Sequence, residues 1–193
     1  MWPPEGRVVL HGVPWERYEA LLAAQGDDYP ALRMTYLKGT LEIMTTSPTH
    51  ERIKTMIARL LEIWAVELNV VFNGYGAATF RKRAAERGLE PDECYVLGEL
   101  HEVPDLAIEV VHMHGGVDKL DVYAGLRVRE VWFWENGAIG IFELAGEGYE
   151  RRATSALLPQ LDIAQLASFV TRALTDSDQT GIVRAYRDAL RRA

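Results

Sequence analysis

The segment Val103-Pro-Asp-Leu-Ala-Ile-Glu-Val-Val111 sets two carboxylates, Asp105 and Glu109, inside an apolar, strand-like run. Side chains alternate across a strand, so Asp105, Ala107 and Glu109 are expected on one face. A buried carboxylate costs several kcal/mol unless it is paired or holds a cation. At roughly 3.3 Å per residue, Asp105 and Glu109 stand about 13 Å apart and cannot share a proton. The chemistry they invite is that of a divalent cation, a lysine or a bound water. Upstream, Glu90-Pro-Asp-Glu-Cys94 brings Asp92 to the start of another strand, and downstream Asp118-Lys119 opens a helix. Carboxylates in such a group select a hard cation such as Mg2+ or Mn2+. The cation polarises a phosphoryl oxygen and acidifies water, while a neighbouring ammonium offsets developing charge.

Each residue also has a plainer role open to it. Asp92 follows Pro91 and could form an Asx-turn. Asp105 could buttress a basic group, Lys119 could pair with surface acids, and Glu42 could be a solvated strand residue or an outer carboxylate. His50 opens a long helix, either as an accessory site residue or as a surface one. His112 and His114, with Glu109, would allow a zinc reading. Cys94 reads as a small core residue, and as the single cysteine it forbids an internal disulfide. There is no Gly-x-Ser-x-Gly elbow, no Gly-x-x-x-x-Gly-Lys loop and no Gly-x-Gly-x-x-Gly after a strand. Hydrolase-triad, P-loop and dinucleotide chemistry are set aside on that ground.

The elements that must position these groups follow from periodicity. Residues 11–24 read as an amphipathic helix with Pro14 in its first turn. Residues 33–44 alternate around Lys38-Gly39, a β-hairpin. Thr49 is a candidate cap for a helix from His50 to Leu68 with Ile53, Ile57, Leu60, Leu61 and Trp64 on its buried stripe. Strands are expected at 70–72, 77–81, 90–97 and 104–111, with a polar break before Gly88. A short helix spans Asp118 to Leu126 with Leu120 and Tyr123 on one side. Glu130–Trp134 and Ala138–Leu144 join through Asn136-Gly137 as a hairpin, which could offer an edge for a homodimer. A further edge segment starts at Gly148, and helices are expected at 161–174 and 181–192. The whole, 1–193, reads as one α/β domain, with helices 11–24 and 181–192 as peripheral additions.

Composition narrows the setting. A chain of 193 residues, 48% hydrophobic and 25% charged, supports one sizeable core. No apolar run approaches the roughly 20 residues of a membrane span, and no basic-then-apolar leader opens the chain, so a cytoplasmic protein with no membrane partner is expected. The net charge of −7 argues against a broad nucleic-acid surface. Contacts to nucleic acid would have to use local clusters such as Arg81-Lys-Arg83 with Arg87, or Arg151-Arg152, whose plainer reading is a solvated surface.

Taken in order, several short motifs resemble the Uma2-like family of the PD-(D/E)xK nuclease superfamily. They are Ser47-Pro48 with His50, Glu90-Pro-Asp-Glu-Cys-Tyr95, Pro104-Asp-Leu-Ala-Ile-Glu-Val110, Lys119-Leu-Asp-Val-Tyr123 and Val128-Arg-Glu-Val-Trp132. The resemblance runs from the Lys38-Gly39 turn to Phe169. It implies a restriction-endonuclease-like core, a mixed central sheet flanked by helices, with a Mg2+ or Mn2+ site where two strands diverge and DNA as substrate. Asp92 would then be the aspartate of the "PD" element, Glu109 the acidic residue of the next strand, and Asp105 a supporting residue. Val111 occupies the position where the superfamily pattern places lysine, and Lys119 from the following helix would replace it. His112-Met-His-Gly-Gly116 departs from the Ser-Pro-containing segment of relatives. Two other classes stay open: a silent nuclease fold acting as an interaction module, and a hydrolase of small phosphorylated substrates.

Overall fold

The alternation around Lys38-Gly39 forms the expected hairpin, with Lys38 and Gly39 both at positive φ. The structure, a computed structural model, describes residues 5–26, 31–112 and 116–192. The elements are β1 (Arg7–Leu10), α1 (Trp15–Gln25), β2 (Leu32–Leu37), β3 (Thr40–Thr45), α2 (Pro48–Glu67), β4 (Phe72–Gly74) and β5 (Phe80–Lys82). After a 3-10 turn (Arg83–Ala85) come β6 (Arg87–Leu89), β7 (Glu93–Leu97), β8 (Leu106–Val110), α3 (Lys119–Leu126), β9 (Glu130–Glu135), β10 (Ala138–Ala145), β11 (Gly148–Arg152), α4 (Ile163–Thr175) and α5 (Gln179–Leu190). No described helix is long and apolar enough to cross a membrane.

The strands form two sheets. One is antiparallel, ordered β1-β3-β2-β6-β5; the other is ordered β11-β10-β9-β8-β7-β4, with β8 and β9 parallel and the rest antiparallel. A parallel pair needs a crossover, and α3 supplies it. The larger sheet is covered on both faces. Ile108, Val110, Trp132, Trp134 and Ile141 pack beneath α2, α4 and α5. On the opposite face Ala107 and Val131 meet Val122, Tyr123 and Leu126 of α3. That helix also touches β2, β5 and β6, so it is wedged between the two sheets.

Several expectations needed correction. β1 was not anticipated, because its four residues carry too little pattern. β5 overlaps the strand expected at 77–81, and the polar break after it holds a 3-10 turn and the start of β6; a three-residue strand carrying Arg87 hides its alternation, and the charges of Arg81, Lys82 and Arg87 suit edge and near-edge positions. The long helix is capped by Ser47 and not Thr49: Ser47 Oγ accepts from the His50 amide at 3.2 Å, and Pro48 takes the first helical turn. α1 starts only after Pro14, and it is no appendage, since Trp15 and Tyr18 are buried against Met34, Tyr36 and Leu41. α5 likewise buries Ile182 and Tyr186 in the main core. The β9–β10 hairpin closes through Asn136-Gly137 as expected, both at positive φ. It exposes no free edge, however, because β11 covers β10 and β8 covers β9. The edges of that sheet are β11 and β4.

Candidate functional site

Asp92 lies one residue before β7. In that antiparallel pair Glu93 faces Ile108, so the next step brings Asp92 opposite Glu109. The Asp92 Oδ2 accepts from the Val110 amide at 2.7 Å, pinning the carboxylate at the end of the ladder. Its other oxygen is 2.8 Å from His50 Nε2. Burial alone would raise the Asp92 pKa, but His50 and, more distantly, Lys119 outweigh it and hold the carboxyl below its ordinary value.

Glu109 has no exposure to solvent. Its neighbours Ile108 and Val110 face the main core, so alternation turns Glu109 to the α3 side of the sheet. There Oε2 accepts from Lys119 Nζ at 2.6 Å, and Oε1 accepts a short hydrogen bond from the Tyr123 hydroxyl. Lys119 and Tyr123 are one helical turn apart on α3, and i,i+4 spacing puts both over the same carboxylate. Asp118 caps that helix by accepting from the Leu120 and Asp121 amides, which sets where its first residue, Lys119, enters. Burial pushes the Glu109 pKa up, and Asp92 adds to this while Lys119 opposes it. Burial would lower the lysine, but Glu109 and Asp92 outweigh it and raise Lys119 above its ordinary value.

The other anticipated residues divide. Asp105 is not brought to this cluster. It sits before the start of β8, where its carboxylate accepts from the Leu97 amide at 2.9 Å, His101 lies at 3.1 Å and Arg129 at 3.1 Å. It buttresses basic groups at the far end of the strand, because the extended run that separates it from Glu109 carries it away. His50 is fully buried, with Nδ1 3.2 Å from Glu5 and Nε2 2.8 Å from Asp92. Burial would lower its pKa; the Asp92 and Glu5 carboxylates raise it instead. Glu42 is buried near the mouth of the site, accepting from the Val117 amide at 3.2 Å with Arg7 at 4.0 Å. His114 lies outside the described residues. His112 is exposed, and its ligand atom groups with Glu5 and His50 within 4.8 Å, not with Glu109. The zinc reading through Glu109 is therefore corrected: among the described residues His112 stands beside Glu5 and His50, and no histidine joins Glu109 in a ligand group. Cys94 is buried in the core, as anticipated. Val111 is only half-buried and lines the cleft described below.

A family model, Uma2, described as "Putative restriction endonuclease", matches residues 15–175. The chain belongs to the Uma2 family. No curated protein matches it. The match takes in α1, which lies outside the motifs that carry the resemblance in sequence, and ends at α4. β1 and α5 fall outside it. The α/β architecture with its mixed six-stranded sheet is that of a restriction-endonuclease-like fold.

Whether a divalent cation suits these Uma2 residues is answered by their charge and donor chemistry. Asp92 and Glu109 are neighbouring buried carboxylates, the first partnered by His50 and the second by Lys119, and Asp92 still exerts an upward pressure on the Glu109 pKa. An ionised carboxylate offers about four acceptor positions, so each oxygen can keep its protein donor and still face a cation. The donor set fits. In front of it lies a cleft of about 520 Å³ whose wall includes Lys119, Glu42, Val110 and Val111.

Four residues of this neighbourhood carried no distinguishing sequence signal or an overlooked one. The i,i+4 spacing from Lys119 could have marked Tyr123 as more than a core residue. Glu5, which accepts from Ser47 Oγ at 3.1 Å as well as facing His50, comes from a segment 45 residues upstream of that histidine. Glu130 and Ser155 form a second buried polar centre. Glu130 accepts from Trp132 Nε1, Ser155 Oγ and the Ala156 and Leu157 amides, at 2.6–3.0 Å. All four acceptor positions are used, so Glu130 fastens the chain after β11 to the start of β9.

Proposed function

We propose that this protein is a Mg2+- or Mn2+-dependent endonuclease that hydrolyses phosphodiester bonds of DNA. The observation that carries the reading is the convergence of Asp92, Glu109 and Lys119 from three separate elements onto one buried point beside a cleft whose wall includes Lys119. Membership of the Uma2 family supports DNA as the substrate.

Asp92 and Glu109 would hold the cation, which supplies a Lewis acid for the phosphoryl oxygen and acidifies water. The remaining work belongs to the chain. His50, itself steadied by Glu5, keeps Asp92 ionised and oriented. Tyr123 fixes the second oxygen of Glu109 and so sets the orientation of the buried carboxylate. Lys119, protonated throughout the physiological range, provides the positive charge that the strand position of Val111 does not. Its ammonium stabilises charge developing on the phosphoryl group and orients the attacking water. Asp105 takes no part in these steps.

The test is cleavage of supercoiled and oligonucleotide DNA in Mg2+ or Mn2+ by wild type and by Glu109→Gln. Wild type is expected to cut and the variant to be silent. Cleavage at full rate by Glu109→Gln, or none by wild type on any DNA, ends the reading.

A further inference from the structure

The sheet continues directly from the acidic site into an aromatic hollow. Across the parallel pair Glu109 faces Phe133, and across the next pair Phe133 faces Gly140. One pleat away the row runs Ala107, Val131, Phe142 and Arg151. Directly opposed residues share a face, so Phe133, Gly140, Phe142 and Arg151 extend the surface that holds Glu109. Phe133 and Phe142 meet edge to face, 5.5 Å apart, and both stay partly exposed. Trp132 and Trp134, on the other face of the same strand, are buried.

Gly140 leaves the hollow open. It is absent from the positions of positive φ, so the backbone does not require glycine there. A Cβ would approach the Phe142 ring to 3.3 Å and the Phe133 carbonyl oxygen to 3.9 Å, and a longer side chain would grow into the hollow. Glycine inside a strand marks a close approach by something else. Around the hollow the cleft wall carries Arg7, Lys119 and Arg151 together with Glu42, Asp118 and Glu135. Glu42 is held by Arg7 and Val117, and Asp118 caps α3, whereas Arg151 makes no ion pair among the described residues. A bare anion would gain little from so mixed a wall. A nucleotide suits it, with flat faces for the phenylalanines, N–H edges for a carboxylate and a phosphate for Arg151 and Lys119.

We propose that this hollow receives an unpaired nucleobase of the strand being cut, so that the substrate is single-stranded or locally unpaired DNA. The identity of the polymer rests on the nuclease reading above; the requirement for a free base rests on the hollow. A base within a duplex is stacked on both faces and reaches such a hollow only by leaving the stack.

The test measures binding in a chelator, where cleavage plays no part, by fluorescence anisotropy. The probes are an oligothymidylate, a strand of equal length made of abasic deoxyribose phosphate, and a duplex. Wild type is expected to bind the oligothymidylate about tenfold or more tighter than the abasic strand, consistent with the worth of base–aromatic stacking. It is also expected to prefer it to the duplex. Gly140→Leu should remove that preference, and if it loses its cooperative melt, Phe142→Ala carries the same test. Equal binding of the abasic strand, a preference for duplex, or wild-type selectivity in the variants overturns the proposal. Adding Mn2+ separates the two readings. Base-dependent binding without cleavage of any strand leaves the hollow and removes the nuclease, whereas metal-dependent cleavage with base-independent binding does the reverse.

Discussion

Lys119, the first residue of α3, places its ammonium 2.6 Å from the carboxylate of Glu109, ten residues earlier on β8. The superfamily lysine is expected two residues beyond the acidic residue on the same strand, where this chain has Val111. The crossover loop and the Asp118 cap return the chain over its own strand, so a helix residue delivers the charge that the strand does not. The geometry makes the ion pair, its cation and its neighbours open to separate measurement.

Divalent cation is expected to raise the thermal midpoint of the wild type, since a ligand that binds only the folded state stabilises it by mass action. At a hundredfold excess over Kd the gain is about 2.7 kcal/mol. Differential scanning calorimetry with Mg2+, Mn2+ and then a chelator reads it directly. Asp92→Asn and Glu109→Gln should each abolish the gain. A shift that persists in both places the cation elsewhere.

The two halves of the buried pair should respond unequally in metal-free protein. Lys119→Met leaves Asp92 and Glu109 facing each other with the ammonium gone, a loss of about 3–5 kcal/mol. Glu109→Gln leaves Asp92 with His50 and Lys119 as cationic neighbours and should cost less. Urea unfolding orders the two variants, and the reverse order would contradict the charge count. Under saturating metal Lys119→Ala should lose turnover by about a hundredfold or more, with metal affinity changed far less.

Glu130 should prove structural and not functional. Glu130→Ala removes the acceptor of four donors, two of them buried, and is expected to cost about 3 kcal/mol. The metal-dependent gain in midpoint should survive in the destabilised protein. Its disappearance would mean that Glu130 couples to the acidic site.

Acid sensitivity is predicted at the contact between α2 and α5. Arg191 and Arg187 hold the Glu67 carboxylate below its ordinary value, at 2.8 and 2.6 Å. A depressed folded-state pKa gives stability that is present above the unfolded-state value and lost as pH falls through the folded one. Glu67→Gln should therefore lower the midpoint slightly near neutral pH, the pair being open to solvent. The difference from wild type should close on acidification below the glutamate range. A gap that widens there would reverse the sign.

Cys94 should be inert in the folded state. Burial first, and Glu93 next, push its thiol up to about 12, and the side chain is enclosed. Only the thiolate attacks alkylating agents. Iodoacetamide is expected to leave native protein unmodified and to label it fully in denaturant, as read by mass spectrometry. Rapid native labelling would show that this part of the core opens.

Local chemistry by itself determined much of this protein. The Lys38-Gly39 and Asn136-Gly137 turns, the apolar stripe of α2 and the buried run of β8 are legible because each is decided by residues within a turn or two of one another. For the same reason Asp92, Glu109 and Lys119 stood out as charges that an apolar strand or a helix start must account for. Tertiary structure decided the rest. Sheet register, which no short window contains, placed Asp92 opposite Glu109 and carried Asp105 to the far end of β8. It also set Phe133, Gly140 and Arg151 beside the acidic pair. Chain segments tens of residues away brought Glu5 to His50 and Ser155 to Glu130. The short strands β1 and β6 escaped the pattern because three or four residues cannot display a period; they exist because neighbouring strands complete their hydrogen bonds.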